Sequence, residues 1–398
     1  MATASPRPVE WVQPPAAPAR PSPWHRGRPQ RRAPHDVIEV DVTRTITTAR
    51  PRRRIAGLTA AVAAAGLLLS ACSSDGTAGS GDGAADGEQE FPAVAVQLSW
   101  LKNQQFAGEY VAVEDGLYTD AGFPEVTLTA GGSSATSAEA AVASGQAFIG
   151  LSSPLITAPA IQSGAELKVV GATYQLNPFA LVSAASAPIE GPDDLVGTTI
   201  AVSDSNTLVW NAFLAANDLD ATDVTTVPLS DTSMLTTGQV DGYVGYTTTG
   251  AAALEAAGFA ATEFLLADNG LPMVGEVLVT SQEAVDERPE EVKAFLLATA
   301  RGWRAALDDP ARALDLTVGT YGKDQQYDAD AIALSLDRQA TLIETDETAA
   351  NGLLTVSEEL QEGTIASLGY AGVDIAADEL FDLSLLDEVY AENPDLLS

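Results

Sequence analysis

The sequence predicts an α/β fold in two lobes, and three observations carry that prediction. From Pro92 onward, short apolar runs of strand length alternate with segments of helical period, at about 25 residues per unit. The alternation comes in two runs, one before about residue 185 and one from about residue 190. After Pro272 the strand-like GEVLVTS returns and the remainder reads as mainly helical, so the second lobe is inserted in the first. Lobe one is expected over 93–185 plus 274–398 and lobe two over 190–270, each a sheet flanked by helices, with two crossings acting as a hinge.

In order, VAVQLSW (Val94 to Trp100) reads as a strand, and AGEYVAVEDG as a helix that Gly116 can end in the left-handed conformation. EVTLTA is a second strand, leading through Gly131-Gly132-Ser133-Ser134 into the helix SAEAAVASG. AFIGLSS, PLITAPAIQSG and ELKVVGATY continue as strand, helix and strand. The second run is TTIAVS, the helix NTLVWNAFLAAND, then DVTTVPLS, DGYVGY and TEFLLAD as strands. PEEVKAFLLATARGWRAAL carries Pro289 in its first turn and Val292, Phe295, Leu296, Thr299, Trp303, Ala306 and Leu307 at helical spacing. Asp308-Asp309-Pro310 stops it and PARALDLTVG starts another helix.

The N-terminus belongs to neither lobe. Residues 1–54 are rich in Pro, Arg and Ala without a sustained apolar period, and read as disordered or as a start placed too far upstream. Arg52-Arg53-Arg54 precede an uncharged apolar run, Ile55 to Ala71, which has the basic flank and length of a secretory signal. It ends in Leu69-Ser70-Ala71-Cys72, and residues 72–92 form a Gly/Ser/Asp linker of the flexible, solvated kind.

Charge and residue inventory remove several functions. The 398 residues hold 20 Lys+Arg against 55 Asp+Glu, yet residues 1–54 contain 11 of those cations and 4 of those acids. The acidic remainder repels phosphate backbones and anionic headgroups, so nucleic acid binding is excluded. His25 and His35 lie in the basic segment and Cys72 is the single cysteine. The body therefore has no imidazole or thiol for a zinc site, a Ser-His-Asp triad or a Cys-His dyad. No metal or cofactor is expected. No G-x-S-x-G elbow or phosphate loop is present, and a carboxylate-pair hydrolase is the remaining enzymatic alternative.

A cleft between two such lobes is lined by the C-terminal ends of strands and the N-terminal ends of helices. Trp100 ends the first strand, where an indole can stack on a planar ligand. Asn103 and Gln105 supply amide donors and acceptors, and Phe106 is either a second wall or a packing residue. Ser152 and Ser153 precede a helix and offer hydroxyls beside free N–H groups, with capping as the alternative for Ser153. Tyr174, Gln175 and Asn177 follow another strand, where Asn177-Pro178 also reads as an ordinary turn. Ser205 and Asn206 precede a helix of lobe two, and Tyr246 and Thr247 follow one of its strands. Asp241 is expected to fix a turn. Glu276 lies inside an apolar strand where the chain returns to lobe one, and its carboxylate can accept from a ligand amine or pair with a cation.

Several segments resemble a known family. VQLSWLKNQQFAGEYVAVEDGLYTDAGF is similar to the opening of ABC importer solute-binding lipoproteins, in the family shared by binders of thiamine pyrimidine precursors, nitrate, taurine and alkanesulfonates. The Gly-Gly loop, GQVDGYVGY and DNGLPMVGEVLVTSQEAVDERPEEVKAFLLATARGWRAALDDPARA extend the resemblance to about residues 94–340, and Leu69-Ser70-Ala71-Cys72 resembles the bacterial lipobox. Tyr246-Thr247-Thr248-Thr249-Gly250 departs from the Thr-Asn-Glu-Pro that many relatives carry after Gly-Tyr. The resemblance implies the type II periplasmic-binding-protein fold with mixed sheets, a monomer exported to the outer face of the cell membrane and anchored by a lipidated Cys72, and partnership with a permease and an ATPase. Trp-x-x-Asn with Phe-Ala-Gly is most similar to the pyrimidine-precursor branch. A sulfonate, taurine, nitrate or a flavin is the alternative ligand. Lys102 and Lys168 are the only cations between Cys72 and Glu287, which disfavours an anion clamp. The family also reaches a pyrimidine-forming enzyme that consumes its own histidine, which this inventory does not support.

Overall fold

A computed structural model describes residues 90–397. The leader, the apolar run Ile55 to Ala71, Cys72 and most of the linker lie outside the described residues.

Among the described residues ten strands form two five-stranded sheets of the same design. The first contains β1 (Val94–Gln97), β2 (Val126–Thr129), β3 (Ile149–Ser152), β4 (Leu167–Tyr174) and β10 (Gly275–Ser281), in the order β2-β1-β3-β10-β4. The second contains β5 (Phe179–Ala184), β6 (Thr199–Val202), β7 (Thr225–Pro228), β8 (Gly242–Tyr246) and β9 (Ala261–Leu265), in the order β7-β6-β8-β5-β9. In each sheet four strands run in one direction and one runs against them: β10 is antiparallel to β3 and β4, and β5 to β8 and β9. Each sheet is therefore mixed. Buried strands such as β3 and β4 read as near-continuous apolar runs because helices cover both faces.

β5 corrects the boundary expected from the sequence. Phe179–Ala184 pairs with β8 and β9, so the first crossing is the short Gln175–Pro178 link and not a segment after residue 185. The second crossing runs from β9 to β10, and the two are tied where the Asn177 N–H donates to the Met273 carbonyl at 2.8 Å.

The helix Ala107–Glu114 is buried over most of its length because it lies under the long amphipathic helix Pro289–Asp308. Glycine permits the close crossing: a Cβ on Gly108 would stand 2.3 Å from Trp303 Cγ, and one on Gly302 would stand 2.4 Å from the Gly108 carbonyl oxygen. Gly116 does adopt φ +74° after the first helix, and the chain turns directly into Leu117–Asp120. PARALDLTVG is helical only to Asp315 and then widens into a π-helical turn over Leu316–Tyr321.

The C-terminal helices do not belong to one sheet alone. Glu358–Tyr370 packs against both Pro154–Gln162 and Thr207–Ala216. Leu368, Val373 and Ile375 join an apolar cluster that runs from Val169 and Val277 of the first sheet to Leu181, Ile200 and Val244 of the second. Among the described residues no helix is long and apolar enough to cross a membrane.

Candidate ligand cleft

The strand register gathers the candidate residues at one end of the first sheet. Val277 faces Ser152 across β10 and β3, and Gly275 faces Tyr174 across β10 and β4, so Glu276, Ser153 and Gln175 share that edge. β1 ends beside them at Gln97, and the loop from Ser99 to Asn103 follows.

Glu276 is the centre of the polar arrangement. It is buried, and its backbone adopts φ +47°, a left-handed conformation that a non-glycine residue rarely takes. Ser99 Oγ donates to its Oε1 at 2.7 Å and Gln105 Nε2 donates to its Oε2 at 2.6 Å. Asn103 Nδ2 donates to Gln105 Oε1 at 3.3 Å, and Asn103 Oδ1 accepts the Gln105 N–H at 2.9 Å, which caps the turn Gln104–Phe106. Burial pushes the Glu276 carboxyl up to about 7, against the hydrogen bonds from Ser99 and Gln105 that favour its charged form. No cation lies in this chain of bonds, and a carboxylate retains lone pairs for a further donor. Trp100 stands next to it with 45% of its surface exposed.

Other sequence candidates take different places. Phe106 is fully buried in the first core cluster, edge-on to Tyr110 with centroids 6.4 Å apart, so it packs instead of walling the cleft. Tyr174 is also sealed, with its hydroxyl donating to Gln339 Oε1 at 2.9 Å. Gln175 donates to the Thr355 carbonyl at 2.9 Å and keeps a buried Oε1 without a partner. Asn177 makes an Asx-type turn by accepting the Phe179 N–H at 3.1 Å, which is the turn reading of Asn177-Pro178. Ser152 Oγ donates to Glu139 Oε1, which also accepts from Thr157 Oγ1 at 2.9 Å. Ser153 makes no side-chain capping bond and its Oγ is buried without a partner.

On the second sheet, Ser205 is exposed within the short turn Asp204–Asn206, and Asn206 reaches the Val244 carbonyl only at 3.5 Å. Asp241 accepts the Thr199 N–H at 2.8 Å and so holds β8 to β6. Tyr246 is half-buried and edge-on to Phe179 at 4.6 Å. Burial and the Glu276 charge raise its hydroxyl above its ordinary value. Thr247 Oγ1 donates to Glu263 Oε1 at 2.7 Å and accepts from Arg338 Nη1 at 3.1 Å. Gln104 Nε2 donates to the Thr248 carbonyl at 3.3 Å, a direct bond from the turn beside Trp100 to the end of β8.

Two groups stand outside the sequence candidates. Arg338 is one. Glu109 is the other: it is fully buried, accepts from Trp303 Nε1 at 3.2 Å and leaves its second oxygen unpartnered. Burial raises its carboxyl to about 8, with the Glu276 charge adding to the effect. Among the described residues no group of three or more His, Cys, Asp and Glu is placed to hold a metal ion.

Comparison with known proteins places this geometry. Residues 103–313, just over half of the chain, match the family model described as NMT1/THI5 like, and the chain belongs to that family. Among curated proteins, the riboflavin-binding protein RibY of Chloroflexus aurantiacus is 28% identical over 291 residues, covering 69% of this chain and 79% of RibY. Among solved structures, the ligand-binding component of an ABC-type import system from Staphylococcus aureus superposes with a TM-score of 0.54 at 13% identity, over 74% of this chain and 99% of that one. The periplasmic aliphatic sulphonate-binding protein SsuA of Escherichia coli gives 0.53 at 16% identity, over 70% and 87%. The fold is the two-lobed fold of periplasmic binding proteins.

Proposed function

We propose that the protein is the solute-binding component of an ABC-type importer, capturing a small planar nutrient between its two sheets and delivering it to a permease driven by an ATPase. The observation that carries this reading is the polar chain Ser99–Glu276–Gln105–Asn103 beside the half-exposed Trp100. An indole face and a cluster of acceptors and amides suit a flat ring that bears N–H and carbonyl groups. Family membership and the fold shared with the Staphylococcus import component support the transport class. The absence of histidine and cysteine after Cys72 supports binding over catalysis.

The ligand we favour is an uncharged heterocycle. Arg338, a cation at the end of β8, is already neutralised by Glu255 and Glu263, and Lys102 lies over the Tyr321 ring, 5.4 Å from its centroid. Neither is held ready for a sulfonate. The pyrimidine precursor of thiamine and riboflavin both meet the description, and the RibY relative favours the flavin. The run Ile55 to Ala71 and Cys72 support export and lipid anchoring at the outer face of the membrane, and the family resemblance implies a monomer.

A thermal-shift and calorimetric screen against riboflavin, the thiamine pyrimidine, taurine, an alkanesulfonate and nitrate tests the assignment. Binding of a heterocycle with a dissociation constant near or below about 1 μM, some 8 kcal/mol, is expected. A response confined to the sulfonates and nitrate would overturn it.

A further inference from the structure

The helix Ala329–Ile343 touches both sheets through consecutive residues. Gln339 accepts the Tyr174 hydroxyl, and the Leu342 carbonyl accepts the Gln175 N–H at 2.8 Å, which fixes the helix to the end of β4 in the first sheet. The Arg338 guanidinium makes its hydrogen bonds to the other sheet and its helices. Its Nη1 donates to the Thr247 carbonyl at 3.3 Å, to Thr247 Oγ1 at 3.1 Å and to Glu263 Oε1, and its Nη2 donates to Glu255 Oε2 at 2.7 Å.

The surroundings of this guanidinium fit a contact that forms and breaks. Its side chain is 26% exposed, and the partners Glu263 and Glu255 are 24% and 55% exposed, so water can take over each bond. A cavity of about 250 Å³ lies against Arg338, Glu255, Glu263 and Phe259, room for several waters. Glu263 Oε2 is buried with no partner, which leaves the cluster net negative and its bonds incompletely satisfied. The receiving segment Thr247–Ala251 is a π-helical turn, an irregular form common at functional sites. Gln104 bonds to the next residue of that turn, so the bridge and the Trp100 loop meet at Thr247-Thr248.

We propose that Arg338 is a positioning residue that holds the two lobes together across the cleft and thereby sets ligand affinity without touching the ligand. This rests on the capture reading above for its consequence, but not for its geometry. Its bonds exist only when the sheets are as close as they are here. The free energy of the bridge therefore adds to closure for any ligand, and losing it lowers the population of the closed form in its absence.

The test separates the two readings because its main measurement needs no ligand. In the full-length protein carrying Cys72→Ser, spin labels are placed at Ser133→Cys and Ser233→Cys, exposed positions that follow β2 and β7, and their separation is measured by double electron–electron resonance. The parent gives a short distance, and Arg338→Ala adds a longer population. Glu255→Gln with Glu263→Gln, made from the opposite lobe, gives the same longer population, which covers the case in which Arg338→Ala does not fold. With riboflavin as the probe, Arg338→Ala binds about tenfold more weakly, and excess riboflavin restores the short distance. Superimposable distance distributions in the parent and in whichever variants fold would overturn the proposal, whatever ligand the cleft takes. A changed distribution with no riboflavin binding in any form would keep the bridge and dismiss the flavin.

Discussion

Glu109 gives a prediction whose size follows from its burial. The carboxyl is sealed, has one hydrogen bond from Trp303 and leaves one oxygen without a partner, which raises it from 4.5 to about 8. Below about pH 4.5 the group is protonated whether the chain is folded or not, and burial carries no ionic penalty. As pH rises toward 8 the unfolded chain releases this proton while the folded chain keeps it, so stability falls over that window and levels off above it. At 1.36 kcal/mol per pH unit the full loss is on the order of 5 kcal/mol. Glu109→Gln keeps an oxygen for Trp303 and cannot ionise. Its stability relative to the parent, from urea unfolding, should be nearly equal at pH 4.5 and improve by several kcal/mol by pH 9. A difference that stays flat with pH would refute the reasoning, because it would mean that Glu109 is not held protonated by its surroundings.

Further outcomes are specific to single residues. Trp100→Ala should weaken ligand binding about tenfold or more by calorimetry while leaving the unfolding midpoint within about 1 °C, since the indole is 45% exposed. Gly108→Ala should lower the melting temperature by several degrees, because its Cβ meets the buried Trp303 ring at 2.3 Å and overpacking costs about 1–3 kcal/mol; an unchanged midpoint would show that the helix crossing can widen freely. Cys72→Ser should move the chain from the membrane to the released fraction of cells, and retention at the membrane would dismiss the lipid anchor.

The strands were legible wherever turn residues bounded an apolar run, as at Thr199–Val202 and Gly242–Tyr246. Phe179–Ala184 was not, because it follows the eight-residue β4 after only four residues, without an intervening helix, and reads as more of the same lobe. The polar cluster at the end of the first sheet is legible in the sequence only as residue types. Trp100, Asn103, Gln105 and Glu276 declare themselves by being polar or aromatic at element ends, but the bond from Gln105 to Glu276 joins residues 171 apart, and no local pattern reports it. Glu109 is hidden in the sequence because a glutamate in a helix is ordinarily at the surface; the one local signal is Gly108 beside it, which admits Trp303. Arg338 lies on a helix whose alternation of polar and apolar residues looks like a solvated face, and its partners Glu255 and Glu263 are 83 and 75 residues away.

The apolar cluster that runs from Val169 through Leu368 to Val244 has a consequence for how the protein comes apart. Two lobes with separate interiors can melt one after the other, each at its own temperature. Here each sheet has one apolar layer of its own and shares this cluster with the other, so neither can lose the shared layer without opening its neighbour's. A solute that stabilises one lobe is therefore expected to raise the melting of both together, as a single transition over residues 90–397.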